Sequence, residues 1–254
     1  MIPGFLKLTL LLKTSLFTLL FISITTLANA QGENGVDVSG SASFTNKGIS
    51  TIPSLTLGKP AAIFNLSVGK RLSFDPEIRF SMEGKPWSFL FWFRYQLVQH
   101  EKFHLKIGAN SAISFADVFA VSNEVPRELI EARRFLAGEI NSSYIISNNI
   151  TIGTYYLYSR GFDPTVPDNT HFISLNSTFS SIPLSNNFFF NVRPQAYYLI
   201  IDENTGFYAA VNIALGYQSL PFTISSTINK EISSEIAGNV DPLWNLSINY
   251  AFAF

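Results

Sequence analysis

The 254-residue chain contains no cysteine, which excludes disulfide scaffolds, thiolate metal sites, thiol catalysis and lipid attachment through an N-terminal Cys. Charge is also scarce: 14% of residues are Asp, Glu, Lys or Arg, against about 25% in soluble domains. That deficit argues against an ordinary cytosolic enzyme. The three histidines, His100, His104 and His171, are scattered and have no carboxylate at ligand spacing, so no zinc or iron site is expected. Glycines are dispersed and form no phosphate-cradling loop, so no cofactor is expected. The 17 basic and 18 acidic residues give no electrostatic footprint for nucleic acid. Beyond residue 30 no run approaches 18 consecutive apolar residues, and a helical membrane protein is thereby excluded.

What is present begins with a leader-like segment. Lys7 and Lys13 precede an apolar stretch, Ser15 to Ile24, and Leu27-Ala28-Asn29-Ala30 then supplies a small-x-small site before Gln31. This is the pattern of a secretory signal peptide over residues 1–30, too short in its apolar part to serve as an anchor. The mature chain, residues 31–254, is expected to leave the cytoplasm; without Lys7 and Lys13 it carries 15 basic against 18 acidic residues.

The body alternates. Leu72, Phe74, Ile78, Phe80 and Met82 share one parity, while Arg71, Ser73, Asp75, Glu77, Arg79 and Ser81 share the other; a period of two is that of strands. Trp87, Phe89, Phe91, Phe93, Tyr95 and Leu97 repeat the pattern, as do Phe188, Phe190, Val192, Ala196 and Tyr198, and Phe207 through Tyr217. Splitting at turn signals predicts about twelve strands, at 34–46, 60–69, 71–83, 86–99, 102–115, 131–146, 149–160, 170–182, 187–201, 206–218, 221–232 and 243–254. Every second connector is tiny, such as Gly69-Lys70-Arg71 and Ser147-Asn148-Asn149. Most of the others are long: 47–59, 116–130, 161–169 and 233–242. Within one of these, the segment Asn123 to Glu131 has Pro126 at an early position and is expected to form a short helix.

Alternation alone does not separate a soluble sandwich from a membrane barrel. Residue identity does. One parity carries Phe, Leu, Ile and Tyr as lipid contact requires, and the other carries charged, amide and small residues. In hydrocarbon every backbone donor and acceptor needs an internal partner, so a spanning sheet must close on itself, and an even strand count closes antiparallel. Trp87, Tyr95, Tyr158, Tyr198, Tyr217 and Trp244 fall near strand ends, where aromatic rings prefer the headgroup zone. The C-terminal segment alternates Leu246, Ile248, Tyr250, Phe252 and Phe254. It resembles the terminal strand of bacterial outer-membrane barrel proteins, in which such a segment is the signal read by the barrel-assembly machinery. The resemblance implies an all-β, up-and-down transmembrane barrel of about twelve strands in a Gram-negative outer membrane, with lipid and the assembly machinery as partners and both termini in the periplasm.

Glu77, Arg79, Arg94, Lys106, Glu139, Asn191, Arg193 and Gln195 then point inward and are the candidate lumen-lining residues, with Trp92 at a constriction. If the lumen is open, these charges select small polar or anionic solutes; if they pair with one another, they plug it. Twelve strands lie between the eight that fill with side chains and the 16 to 18 of an aqueous pore. The leading expectation is a non-enzymatic, narrow passive channel. The alternative is a closed barrel acting as a subunit or surface-loop scaffold, with a possible protein partner at the external loops. A membrane hydrolase is the minor reading. Barrels resembling outer-membrane phospholipase A keep a His two residues before the nucleophilic Ser, and none of the three histidines fits; Ser174 follows His171 by three and falls on the opposite face. A protease-like rim would have to be built from Asp163, Asp168 and His171.

Overall fold

The computed structural model describes residues 35–122, 125–236 and 242–254, and the side chains of Ser54 and of residues 119–128 lie outside that description. The leader-like segment 1–30 lies outside the described residues. The strands are β1 (Val38–Thr45), β2 (Ala61–Gly69), β3 (Leu72–Ser81), β4 (Pro86–Gln99), β5 (Phe103–Ser122), β6 (Val125–Ser147), β7 (Ile150–Gly161), β8 (Asn169–Pro183), β9 (Phe188–Ile201), β10 (Asn204–Tyr217), β11 (Phe222–Ser234) and β12 (Leu243–Ala253). Each pairs antiparallel with its sequence neighbours, and β1 pairs with β12 from Ser39↔Ala253 to Thr45↔Ser247, which closes the barrel. A sheet without edges leaves no ladder group for lipid to strand.

The alternation sets which face is which. Leu72, Phe93, Leu136, Leu175, Ile224 and Ile248 are exposed on the outside, as a belt in contact with acyl chains requires. The C-terminal strand contributes Trp244, Leu246, Tyr250 and Phe254 to that surface. Phe252 belongs to the same face, and its ring lies where a Cβ on Gly40, its register partner, would stand, 2.5 Å from Cζ; glycine there lets the aromatic ring cover the seam of closure. No described helix is long and apolar enough to cross a membrane, and the strands do the spanning. The closed sheet and its apolar exterior agree with the outer-membrane location read from the sequence.

The end bearing the termini has tight turns. Gly69 turns β2 into β3 at φ +140°, and a Cβ there would lie 2.1 Å from the carbonyl oxygen of Leu72. Gly69→Ala is expected to cost about 1–3 kcal/mol, read as a lower urea midpoint in detergent with an unchanged strand signature in circular dichroism.

Two expectations for the opposite end are corrected. The 116–130 stretch is not a loop with a short helix. β5 and β6, 20 and 23 residues long, continue beyond the other strands as one ladder, with Val121↔Pro126 and Ser122↔Val125 in register. A nine-residue helix standing alone is marginal in water, whereas extending an existing ladder pairs the backbone at once. Trp87 is not a headgroup anchor either. A bulge where Arg79 faces Ser88 but Phe80 faces Pro86 takes Trp87 out of the outward parity. Its ring is buried, and Nε1–H donates to the Leu55 carbonyl at 3.0 Å.

Leu55 belongs to the connector between β1 and β2, which folds back across the mouth. A 3-10 turn, Pro53–Leu55, begins with proline at an early position, where the missing N–H is no loss. Gly48 N–H donates to the Lys59 carbonyl at 2.7 Å, and Ser50 N–H to Thr56 Oγ1 at 3.1 Å. Ile52 packs against an apolar cluster inside the barrel: Phe172 of β8, Tyr197, Leu199 and Ile201 of β9, Tyr208 of β10 and Ile236. The interior therefore has its own apolar half, whereas the sequence alone places charged, amide and small side chains there with Trp92 as the one large ring.

Candidate functional site

Across the middle of the lumen runs a polar layer built by β3, β4, β6 and β7. Arg94 Nε donates to Glu139 Oε1 at 2.6 Å, and Nη1 donates to Asp75 Oδ2 at 3.0 Å. Tyr155 O–H donates to Glu139 Oε2 at 2.8 Å. The Glu139 side chain is only 2% exposed, so the layer is a buried charge held by a two-pronged arginine and a phenol. Gly108 makes room for it: a Cβ there would stand 2.9 Å from Glu139 Cγ and 3.2 Å from Arg94 Cγ. Arg94 also lies over the ring of Trp92, 4.5 Å from its centroid. Trp92 is 5% exposed and faces inward, as its parity predicts.

Nearer the outer mouth, Arg79 pairs with Glu77 and lies over Trp87 at 4.8 Å. Opposite stands the aromatic cluster. Tyr197 stacks on Tyr208 with centroids 4.9 Å apart and on Phe172 at 4.9 Å, and its hydroxyl is bonded to Asn229.

The eight residues singled out in the sequence thus fall into distinct settings. Glu77, Arg79, Arg94 and Glu139 are tied to each other or to Asp75. Asn191 Oδ1 accepts from the backbone N–H of Ser181 at 2.8 Å, at an irregularity of β8. Gln195 lines both main cavities. Arg193 lines the inner one, and Lys106 sits in register between Gln96 and Asn141. Lys106 and Arg193 are exposed to the lumen side and form no ion pair among the described residues. Asp75, Tyr155, Tyr197 and the folded-in Ile52 were not singled out. A run of Ile49, Ile52, Leu55 and Leu57 in an otherwise polar connector was the available signal for the last.

Two cavities adjoin along the lumen, and a third of about 220 Å³ lies at the outer rim between the β1–β2 connector, Trp87 and Arg133. The outer one, about 340 Å³, is walled by Trp87, Trp92, Leu90 and Phe172 together with Glu77, Arg79 and Arg94. The inner one, about 230 Å³, is polar and includes Asn141, Asn176 and Arg193. Tyr155 and Gln195 belong to the walls of both, so the mid-lumen layer is the partition between them.

Neither hydrolase arrangement considered from the sequence is assembled. Ser174 is buried inside, while His171 belongs to the opposite parity and is bonded through Nδ1 to the Tyr156 hydroxyl at 3.0 Å. Asp163, the candidate rim acid, is held by Arg134, whose Nη2 donates at 2.6 Å and whose backbone N–H donates at 2.6 Å. No group of three or more His, Asp or Glu among the described residues is placed to hold a metal ion.

These Arg134 hydrogen bonds hold the Asp163 carboxyl below the usual carboxylate range. A depressed acid stabilises above its unfolded value, near 4 for Asp, and the effect is lost as pH falls through the lower folded value. The stability difference between the wild type and Asp163→Asn should therefore narrow as pH drops from about 5 to about 2. Paired urea titrations read this, and a difference that stays constant would show the pair is not formed in solution.

No protein-family model and no curated protein matches this sequence. Solved structures do. A KdgM porin is 7% identical, with 85% of this chain and 99% of that chain covered and a TM-score of 0.50. LpxR from Salmonella typhimurium is 11% identical, with 84% and 100% covered and a TM-score of 0.48. A NanC porin is 13% identical, with 85% and 98% covered and a TM-score of 0.44. At 7% identity the likeness to the KdgM porin is one of fold. The chain has the fold of the Gram-negative outer-membrane β-barrels.

Proposed function

We propose that the protein is a narrow passive channel of the outer membrane for small polar solutes, with a preference for anions set in the inner half of the lumen. The reading is carried by the pair of cavities that meet at Tyr155 and Gln195: only side chains separate the two along the barrel axis, and the connector carrying Ile52 and Leu55 covers the outer one. Selection then belongs to Lys106 and Arg193. Arg79 is offset by Glu77 and Arg94 by both Asp75 and Glu139; two cations against three carboxylates leave this layer with one net negative charge, so it supplies no attraction for anions. Two unpaired cations beside the inner cavity attract anions and repel cations. No side chain is assigned a catalytic role.

Lys106→Glu combined with Arg193→Glu tests this in planar bilayers. The chloride-over-potassium permeability ratio should fall about tenfold and drop below one at about 0.1 M salt. The shift should shrink at about 1 M, where the screening length is near 3 Å. A folded barrel that passes no current removes the channel reading and leaves the closed scaffold; unchanged selectivity removes Lys106 and Arg193 from the conducting path.

A further inference from the structure

The outer cavity is more apolar than the inner one. Its walls are largely apolar, with Trp87, Trp92, Leu90, Leu157 and Phe172 around a space of about 340 Å³. A cavity of about 150 Å³ holds a benzene ring, and small-molecule sites begin near 300 Å³, so this one suits one or two rings. Its charges are already taken: Arg79 by Glu77, and Arg94 by Asp75 and Glu139. An anionic ligand would have to displace a carboxylate. One face of each tryptophan is already taken by a cation, since Arg79 lies over Trp87 and Arg94 over Trp92, so a second positive charge beside these rings would be repelled.

Among the described residues, one fully buried side-chain oxygen in the wall has no partner. Ser88, from β4, lines the cavity and is 8% exposed; its hydroxyl oxygen is turned out of reach of the cavity and makes no hydrogen bond. Buried hydroxyls are nearly always bonded, and an orphan points to a missing partner. Rotation about χ1 among staggered positions lets a serine hydroxyl turn toward a neighbour that offers one.

We propose that the outer cavity is a binding site for a small, uncharged, mainly apolar molecule of one or two rings bearing a single hydrogen-bonding group, with Trp87 and Trp92 as walls and Ser88 as the polar anchor. The site stands independently of conduction: it serves a channel as a vestibule and a closed barrel as a receptor pocket.

The three tryptophans are Trp87, Trp92 and Trp244, and Trp244 is exposed on the outer surface. In a Trp244→Phe background all indole emission therefore comes from the cavity wall. The full barrel in lipid nanodiscs is titrated with 4-bromophenol, a neutral heavy-atom quencher at pH about 7, and with bromobenzene, which lacks the hydroxyl. Quenching by both should saturate, apart from the linear background of lipid partition. Ser88→Ala should weaken 4-bromophenol about three- to tenfold and leave bromobenzene within about twofold, while Ser88→Thr keeps the hydroxyl and the affinity. Ala112→Phe, which fills the cavity from β5, should abolish the saturable part for both. Retained mobility on unheated gels certifies that each variant is folded. Purely linear quenching, an unaltered saturable part in Ala112→Phe, or an equal effect of Ser88→Ala on both probes would each overturn the proposal.

Discussion

Arg94→Ala is expected to destabilise the barrel by about 3–5 kcal/mol, because it leaves Glu139 buried without its cation. The side chain of Glu139 has almost no access to water, and its remaining donor is the neutral Tyr155 hydroxyl. Asp75 loses the same partner, though Ser67 and Ser73 continue to donate to it at 2.6 and 3.1 Å. The cost should come mainly from the orphaned carboxylate rather than from the missing arginine. Adding Glu139→Gln to Arg94→Ala should therefore recover more than half of the loss, measured as unfolding free energy by urea titration in detergent. A double variant no more stable than the single one would mean that Arg94 acts through its contact with Trp92 instead. In a conducting barrel the same double variant widens the partition and should raise single-channel conductance.

Tyr197→Ala is expected to cost about 3–5 kcal/mol. Tyr197 is 1% exposed, stacks on both Tyr208 and Phe172, and shares hydrogen bonds with Asn229. Truncation empties the centre of the inner cluster and strips Asn229 of its partner. Tyr197→Phe separates the two contributions: it keeps the packing and should lose only about 1 kcal/mol with the hydrogen bond. Equal costs for the two variants would show that the ring packing contributes nothing. Because Ile52 rests on this cluster, Tyr197→Ala should also speed hydrogen exchange in the 46–60 connector.

Much of the architecture is legible in the sequence because a lipid-facing strand is constrained on every second residue. Phe93 and Leu136 are outward, and Arg94 and Glu139 inward, by parity alone, and the tight turns at one end are marked by residues such as Gly69. Parity fails where the backbone leaves the regular ladder. The bulge before Trp87 reverses that ring, and the β5–β6 ladder runs on through 116–122 and 125–130, where the sequence shows no regular two-residue alternation. Parity is also silent about what faces what across the lumen. Leu199 and Tyr208 lie on the inward parity, but only the closed sheet brings them against Phe172 and under Ile52.

The candidate site divides along the same line. That Arg79, Arg94, Lys106 and Arg193 are inward follows from alternation. That the first two are neutralised while the last two are not depends on strand register and on Gly108, which opens space for Glu139 beside Arg94. Sequence by itself determined the strand count, the outward apolar belt and the identity of the inward charges, because a side chain's face follows from its position along a two-residue repeat. Tertiary structure alone decided which charges cancel, which connector closes the mouth and where the cavities lie. Those outcomes depend on distances between strands far apart in the chain, which no local period records.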